Sequence, residues 1–217
     1  MPIRILIADD HGVVAEGLKQ LVEAESDMQV VALVGDGREA VQQARDTQPD
    51  VVLMDLSMPE LNGADATRAI LERDPRCRVI VLSMYAEREY VRRALKAGAS
   101  GYLTKESASR QLVEAIRKVV AGGAFISAEV AQQLALGAMP DVKGPPHTAL
   151  SDREFQIFRM IADGLAVSDI AGRLNLSVKT VSTHKSNILQ KMGMTTQAEL
   201  IRYAITHRLV DEPGEPG

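Results

Sequence analysis

Short apolar runs alternate with amphipathic stretches through the first half of the chain. Residues 3–8, 29–34, 51–54, 79–82 and 101–104 are compact runs of strand length, most of them rich in Val, Ile and Leu. Between and after them, 13–24, 38–46, 64–72, 87–96 and 108–121 repeat apolar positions at three- and four-residue intervals. Val14, Leu18, Leu21 and Val22 are one such set, and Leu112, Ala115, Ile116 and Val119 another. That spacing marks helices with one buried face. Unbroken apolar strands are buried on both sides, as in a parallel sheet. Five strands alternating with five helices therefore predict a doubly wound five-stranded parallel α/β sheet in residues 1–122.

The pattern then changes. Residues 127–136 could add one short helix, and the glycines and prolines of 137–146 break every period, so 123–147 reads as a short helix and flexible linker. Beyond it the period is helical throughout 148–210. Ser151-Asp152-Arg153-Glu154 is a capping box opening a helix that Gly164 ends. A second helix, 167–174, leads through the turn Asn175-Leu176-Ser177 into a third, 178–192, ended by Gly193. Thr196-Gln197-Ala198-Glu199 caps a fourth, running to about 207. Two helices joined by three turn residues have helix-turn-helix spacing. The tail 211–217 is expected to be disordered.

Composition adds a little. A chain of 217 residues has room for two domains, and with 46% hydrophobic but 3% aromatic residues its core is aliphatic. No apolar stretch approaches the roughly 20 residues that span a membrane. The N-terminus lacks a signal-peptide layout, and the single cysteine, Cys77, suits a reducing cytoplasm. Charge is uneven: 16 Lys and Arg against 19 Asp and Glu over 1–125, but 8 against 5 over 148–210. A basic segment in an acidic chain hints at nucleic acid.

Four of the five strands end on a residue with chemistry to offer. Asp9 and Asp10 follow the first, Asp55 the third, Ser83 the fourth and Lys105 the fifth. Open α/β sheets bind ligands at these ends. Converging carboxylates repel one another and raise at least one pKa, a cost that Mg2+ removes as a hard, oxygen-seeking cation. A carboxylate held there can attack a phosphoryl group, while the ion and a lysine neutralise the charge that develops. Taken singly, the aspartates would be helix caps and Lys105 a surface lysine. Their joint placement argues for a site. Gly35-Asp36-Gly37-Arg38-Glu39-Ala40 fits a dinucleotide fingerprint, but follows the second strand rather than the first. A dehalogenase-type phosphatase would need an aspartate where Ser57 stands. The four histidines have no metal-ligand spacing.

Ala8-Asp9-Asp10-His11, Met54-Asp55-Leu56-Ser57-Met58-Pro59, Leu82-Ser83 and Gly101-Tyr102-Leu103-Thr104-Lys105 resemble the receiver domain of bacterial two-component response regulators, over residues 3 to about 121. The resemblance implies a flavodoxin-like fold in which Asp55 accepts a phosphoryl group from a sensor histidine kinase. It implies that Asp10, Asp55 and the backbone carbonyl of Ser57 hold Mg2+, with Asp9 acting through water. Ser83 and Lys105 would bind the phosphoryl oxygens, and Tyr102 would turn inward as Ser83 moves. Such a chain is no enzyme beyond its own phosphoryl transfer and dephosphorylation. Met84 stands where receivers often have a small residue, and Tyr85 could overhang Asp55, so slow self-dephosphorylation is expected.

On the helix 178–192, Val178, Val181, Ile188, Leu189 and Met192 share one face, with Lys179, Thr183, Ser186, Asn187 and Gln190 opposite. A helix in the major groove reads bases with its N-terminal half, here Lys179, Ser182, Thr183 and Ser186. Thr180, His184, Lys185 and Lys191 are placed for phosphates, although Lys185 projects near the apolar stripe and can snorkel. Leu150-Ser151-Asp152-Arg153-Glu154, Asp169-Ile170-Ala171, Leu174-Asn175-Leu176-Ser177 and Lys179-Thr180-Val181-Ser182-Thr183-His184 resemble the LuxR-type helix-turn-helix of NarL/FixJ-family regulators. That resemblance implies double-stranded DNA with two half-sites, dimerisation on that operator through the last helix, 196–207, a receiver homodimer favoured by phosphorylation, and RNA polymerase as a further candidate partner. Relatives often carry Lys or Val at the positions of Ser182, Thr183 and Ser186, so their base preference does not transfer.

Overall fold

The computed structural model of the protein describes residues 1–84, 88–128, 130–131, 145–207 and 209–210. It divides into two compact units, Met1–Met139 and Pro140–Gly217.

In the first unit the strands are β1 (Ile3–Ala8), β2 (Met28–Val34), β3 (Val51–Asp55), β4 (Arg78–Ser83), β5 (Gly101–Thr104) and β6 (Phe125–Ile126). They lie side by side in the order β2-β1-β3-β4-β5-β6, every neighbour parallel. Ile5, Ile7, Leu53, Ile80, Leu82 and Leu103 point to one face. There they meet Ala15, Leu18 and Val22 of α1 (Gly12–Glu23) and Leu112, Ala115, Ile116 and Val119 of α5 (Lys105–Val120). The alternate residues Leu6, Val52, Met54, Val79, Val81 and Tyr102 are equally buried, on the face of α2 (Gly37–Thr47), α3 (Gly63–Arg73) and α4 (Arg88–Lys96). Two covered faces explain the uniform apolarity of the strands.

Two features differ from the sequence expectation. Among the described residues the sheet has six strands, not five, because Phe125 and Ile126 pair with Gly101 and Tyr102. Two residues are too few for a period to register. Helix α5 begins at Lys105 rather than near 108: the Thr104 hydroxyl caps it by accepting from the Ser107 amide at 3.2 Å. Strand therefore runs into helix with no loop between. Of the expected helix 127–136, residues 128, 130 and 131 are helical, and 132–136 lie outside the described residues. So do residues 137–144 of the linker and the tail 211–217, while Pro146–Ala149 forms a 3-10 turn.

The second unit has α6 (Asp152–Ala162), α7 (Val167–Arg173), α8 (Val178–Met192) and α9 (Gln197–Thr206). Both expected capping boxes are formed, Ser151 with Glu154 and Thr196 with Glu199. Gly164 and Gly193 end α6 and α8 at φ +86° and +65°, the left-handed conformation that glycine adopts without a Cβ clash. Phe155, Phe158, Ile161, Ile170, Leu174, Val181, Ile188, Leu200 and Ala204 are all buried here.

Candidate functional site

An acidic pocket forms where the strand order reverses. β2 lies beyond β1 and β3 lies on its other side, so a crevice opens above the C-terminal ends of β1 and β3. The register pairs Ala8 with Met54, which sets Asp9 and Asp55 side by side. Both are about 3% exposed. Lys105, the first residue of α5, reaches across from the end of β5 and places its Nζ 2.7 Å from Asp9 Oδ2 and 3.0 Å from Asp55 Oδ2. Ser83 ends β4 and is buried, one register step beyond the Leu82 that faces Asp55. The Ser57 amide donates to Asp55 Oδ1 at 3.2 Å.

The electrostatics follow from burial. Desolvation pushes the Asp55 carboxyl up to about 6; Lys105 works against that rise and Asp9 adds to it. For Lys105, burial disfavours the ammonium, yet the two carboxylates together hold its pKa above the ordinary lysine value. The ionised Asp55 is thus a cost to the metal-free fold. Below about pH 4 the carboxyl is protonated whether folded or unfolded and the cost vanishes; it grows as pH rises through about 6. Asp55→Asn is expected to raise metal-free stability by about 1–3 kcal/mol at pH 7.5, with the gain fading toward pH 4. Denaturant melts in EDTA across that range check this, and a gain that grows with acidity would contradict it.

Sequence reasoning missed His11. Its Nδ1 lies 2.8 Å from Asp10 Oδ1 and 3.4 Å from Asp9 Oδ1, and one ligand atom from each of Asp9, Asp10, His11 and Asp55 lies within 4.8 Å of the others. Its adjacency to the aspartate pair was the available signal. This oxygen-dominated donor set fits a hard divalent cation.

The loop after Asp55 is held tightly. Leu56 and Met58 are buried, Asn62 caps α3 by accepting from the Asp65 amide at 3.0 Å, and the Gly63 amide donates to the Leu56 carbonyl at 3.1 Å. A Cβ on Gly63 would run into the carbonyl oxygen of Asp55, and one on Gly37 into that of Leu61. Close backbone packing thus accounts for the second glycine of the apparent dinucleotide fingerprint. Tyr102, expected to turn inward on phosphorylation, is already fully buried. Met84 is 69% exposed, and Tyr85 lies outside the described residues.

In the second unit α8 presents Lys179, Ser182, Thr183, Ser186, Asn187 and Gln190 to solvent. Val178, assigned to the core stripe by its period, is instead 54% exposed, because at the first position of the helix it projects past the core that holds Val181, Ile188 and Met192. The residues assigned to phosphates are partly committed elsewhere. Lys191 bonds Glu154 Oε2 at 2.6 Å and Lys185 bonds Gln197 Oε1 at 2.7 Å, while the Thr180 hydroxyl lies 2.8 Å from that of Ser177. His184 is half-buried with Nδ1 enclosed. Burial, aided by Arg153 and Lys191 and opposed by Glu154, lowers its pKa and favours a neutral ring.

Two family models match. The response regulator receiver domain covers residues 5–117 and the bacterial regulatory proteins of the luxR family cover 148–204. The chain is 40% identical to the response regulator GacA of Pseudomonas aeruginosa over 210 residues, 96% of this chain and 98% of that one. It is 38% identical over 216 residues to the oxygen regulatory protein NreC of Staphylococcus carnosus, 96% of this chain and all of the other. Among solved structures it is similar to RcsB of Salmonella enterica serovar Typhimurium bound to a promoter in the presence of the phosphomimetic BeF3-. That match has a TM-score of 0.59 and 26% identity, over 94% of this chain and 98% of RcsB.

Proposed function

The chain belongs to the DNA-binding two-component response regulators that join a receiver to a LuxR-family helix-turn-helix domain, and on that premise we propose that Asp55 is its phosphoacceptor. The observation that carries this is Lys105, whose ammonium joins the buried carboxylates of Asp9 and Asp55. An Asp55 oxygen attacks the phosphorus of a phosphohistidine on a sensor kinase; the P–N bond breaks and the imidazole leaves with a proton. Lys105 and Ser83 bind the phosphoryl oxygens. Asp10, Asp55 and the backbone carbonyl of Ser57, with Asp9 beside them, would hold Mg2+. The bound ion would neutralise charge on the transferring group. The receiver occupies about 1–122, the linker 123–147 and the DNA reader 148–210.

The phosphoryl group adds about −1.5 to −2 charge at pH 7, draws Lys105 away from Asp9, and favours a homodimer that reads two half-sites through α8 and recruits or blocks RNA polymerase. The chain works in the cytoplasm; among the described residues no helix is long and apolar enough to cross a membrane. Self-dephosphorylation is slow, because Met84, directly after Ser83, stands where receivers often carry a small residue. Beryllofluoride with Mg2+ should tighten operator binding by about tenfold, a typical coupling of about 1.4 kcal/mol, and Asp55→Asn should abolish the gain. Equal affinity with and without the mimic would overturn the switch.

A further inference from the structure

Helix α8 contains no arginine, and two of its three lysines are bonded to Gln197 and Glu154. Much of its exposed face is instead hydroxyl. The Thr183 hydroxyl donates to the Lys179 carbonyl at 3.0 Å, and the Ser186 hydroxyl to the Ser182 carbonyl at 3.1 Å. Each proton is thereby used inside the helix. What these side chains offer outward is oxygen lone pairs and, at Thr183, a methyl group.

Base edges in the major groove divide along that line. Adenine N6 and cytosine N4 are amino donors, guanine presents only acceptors, and thymine adds a methyl group. An amino group can meet either oxygen as it stands. A guanine edge can bond it only by taking the proton from the helix carbonyl, so that one hydrogen bond is lost for the one made.

We propose that Thr183 and Ser186 set the operator preference by selecting amino-bearing base edges. Thr183 reads an A·T pair, its oxygen accepting from adenine N6 and its methyl packing on the thymine methyl. Ser186, three residues on along the same face, accepts from adenine or cytosine. This rests on α8 being the helix that enters the groove.

The test starts from full-length protein with beryllofluoride and Mg2+, used to select duplexes from a random pool. One half-site position should be A·T, with a preference that weakens in Thr183→Val, which keeps a methyl group, and is lost in Thr183→Ala. Replacing its thymine by uracil should weaken the wild-type protein about fivefold, the size of one modest contact, and leave Thr183→Ser unaffected. Replacing its adenine by a purine lacking the N6 amino group should weaken the wild-type protein similarly and leave Thr183→Val unaffected. Ser186→Ala should erase a preference for adenine or cytosine at a second position. A guanine preference that Thr183→Val erases, or equal losses in wild-type and variant proteins, would overturn the inference alone. A pool in which no duplex is enriched would overturn the assignment of α8 as DNA reader, and the inference with it.

Discussion

Lys105→Met is expected to destabilise the metal-free receiver by about 3–5 kcal/mol at pH 7.5, the usual consequence of removing one partner from a buried charge cluster. Lys105 is the ammonium that meets both Asp9 and Asp55. Without it, two nearly enclosed carboxylates face each other. Asp55 is already pushed up to about 6 with the lysine opposing the rise, so its removal pushes that pKa higher still. A raised folded-state pKa means stability that is lost as pH increases. The deficit should therefore be small near pH 4 and largest above neutrality. Mg2+ should restore most of it by replacing the missing cation. Denaturation of the first unit in EDTA and in Mg2+, at pH 5 and 7.5, reads all three signs; a variant as stable as the parent in EDTA at pH 7.5 would show that Lys105 is no counter-charge.

Gly63→Ala is expected to lower stability by about 3 kcal/mol or more and to abolish phosphate uptake from acetyl phosphate. The added methyl would overlap the backbone carbonyl of Asp55, and neither partner is a flexible side-chain tip that can move aside. Relief requires the α3 N-terminus to back away, which pulls on the loop holding Ser57 against the Asp55 carboxylate. Gly172→Ala is the control. It sits in α7 with open space where a Cβ would go, and should be neutral or stabilising by up to about 1 kcal/mol. Equal thermal midpoints for the two variants would remove the steric account.

The acidic pocket was legible in the sequence because an apolar strand closed by a polar residue delivers that residue to the sheet edge. Asp9, Asp55, Ser83 and Lys105 each inherit their place from such a run. The capping boxes at Ser151 and Thr196 were legible for a similar reason, since each pairs two residue types at a fixed offset. What stayed hidden depends on neighbours distant in the chain. Phe125 and Ile126 become a strand only through β5, and Gly37 is a glycine because the backbone of Leu61 lies against it. Val178 has the right period for the core but starts its helix beyond the core's reach. Nor does the local pattern reveal that Lys191 pairs with Glu154, 37 residues earlier, at 2.6 Å.

The enclosed ring of Tyr102 bears on how much the regulator leaks. If Tyr102 is the aromatic that receivers of this type turn inward on activation, it is already in, and the resting and signalling forms would differ in fewer interactions and lie closer in free energy. A smaller gap leaves a larger idle fraction in the competent form. Target promoters would then carry appreciable basal output before any stimulus arrives, and the stimulus would multiply that output by a modest factor.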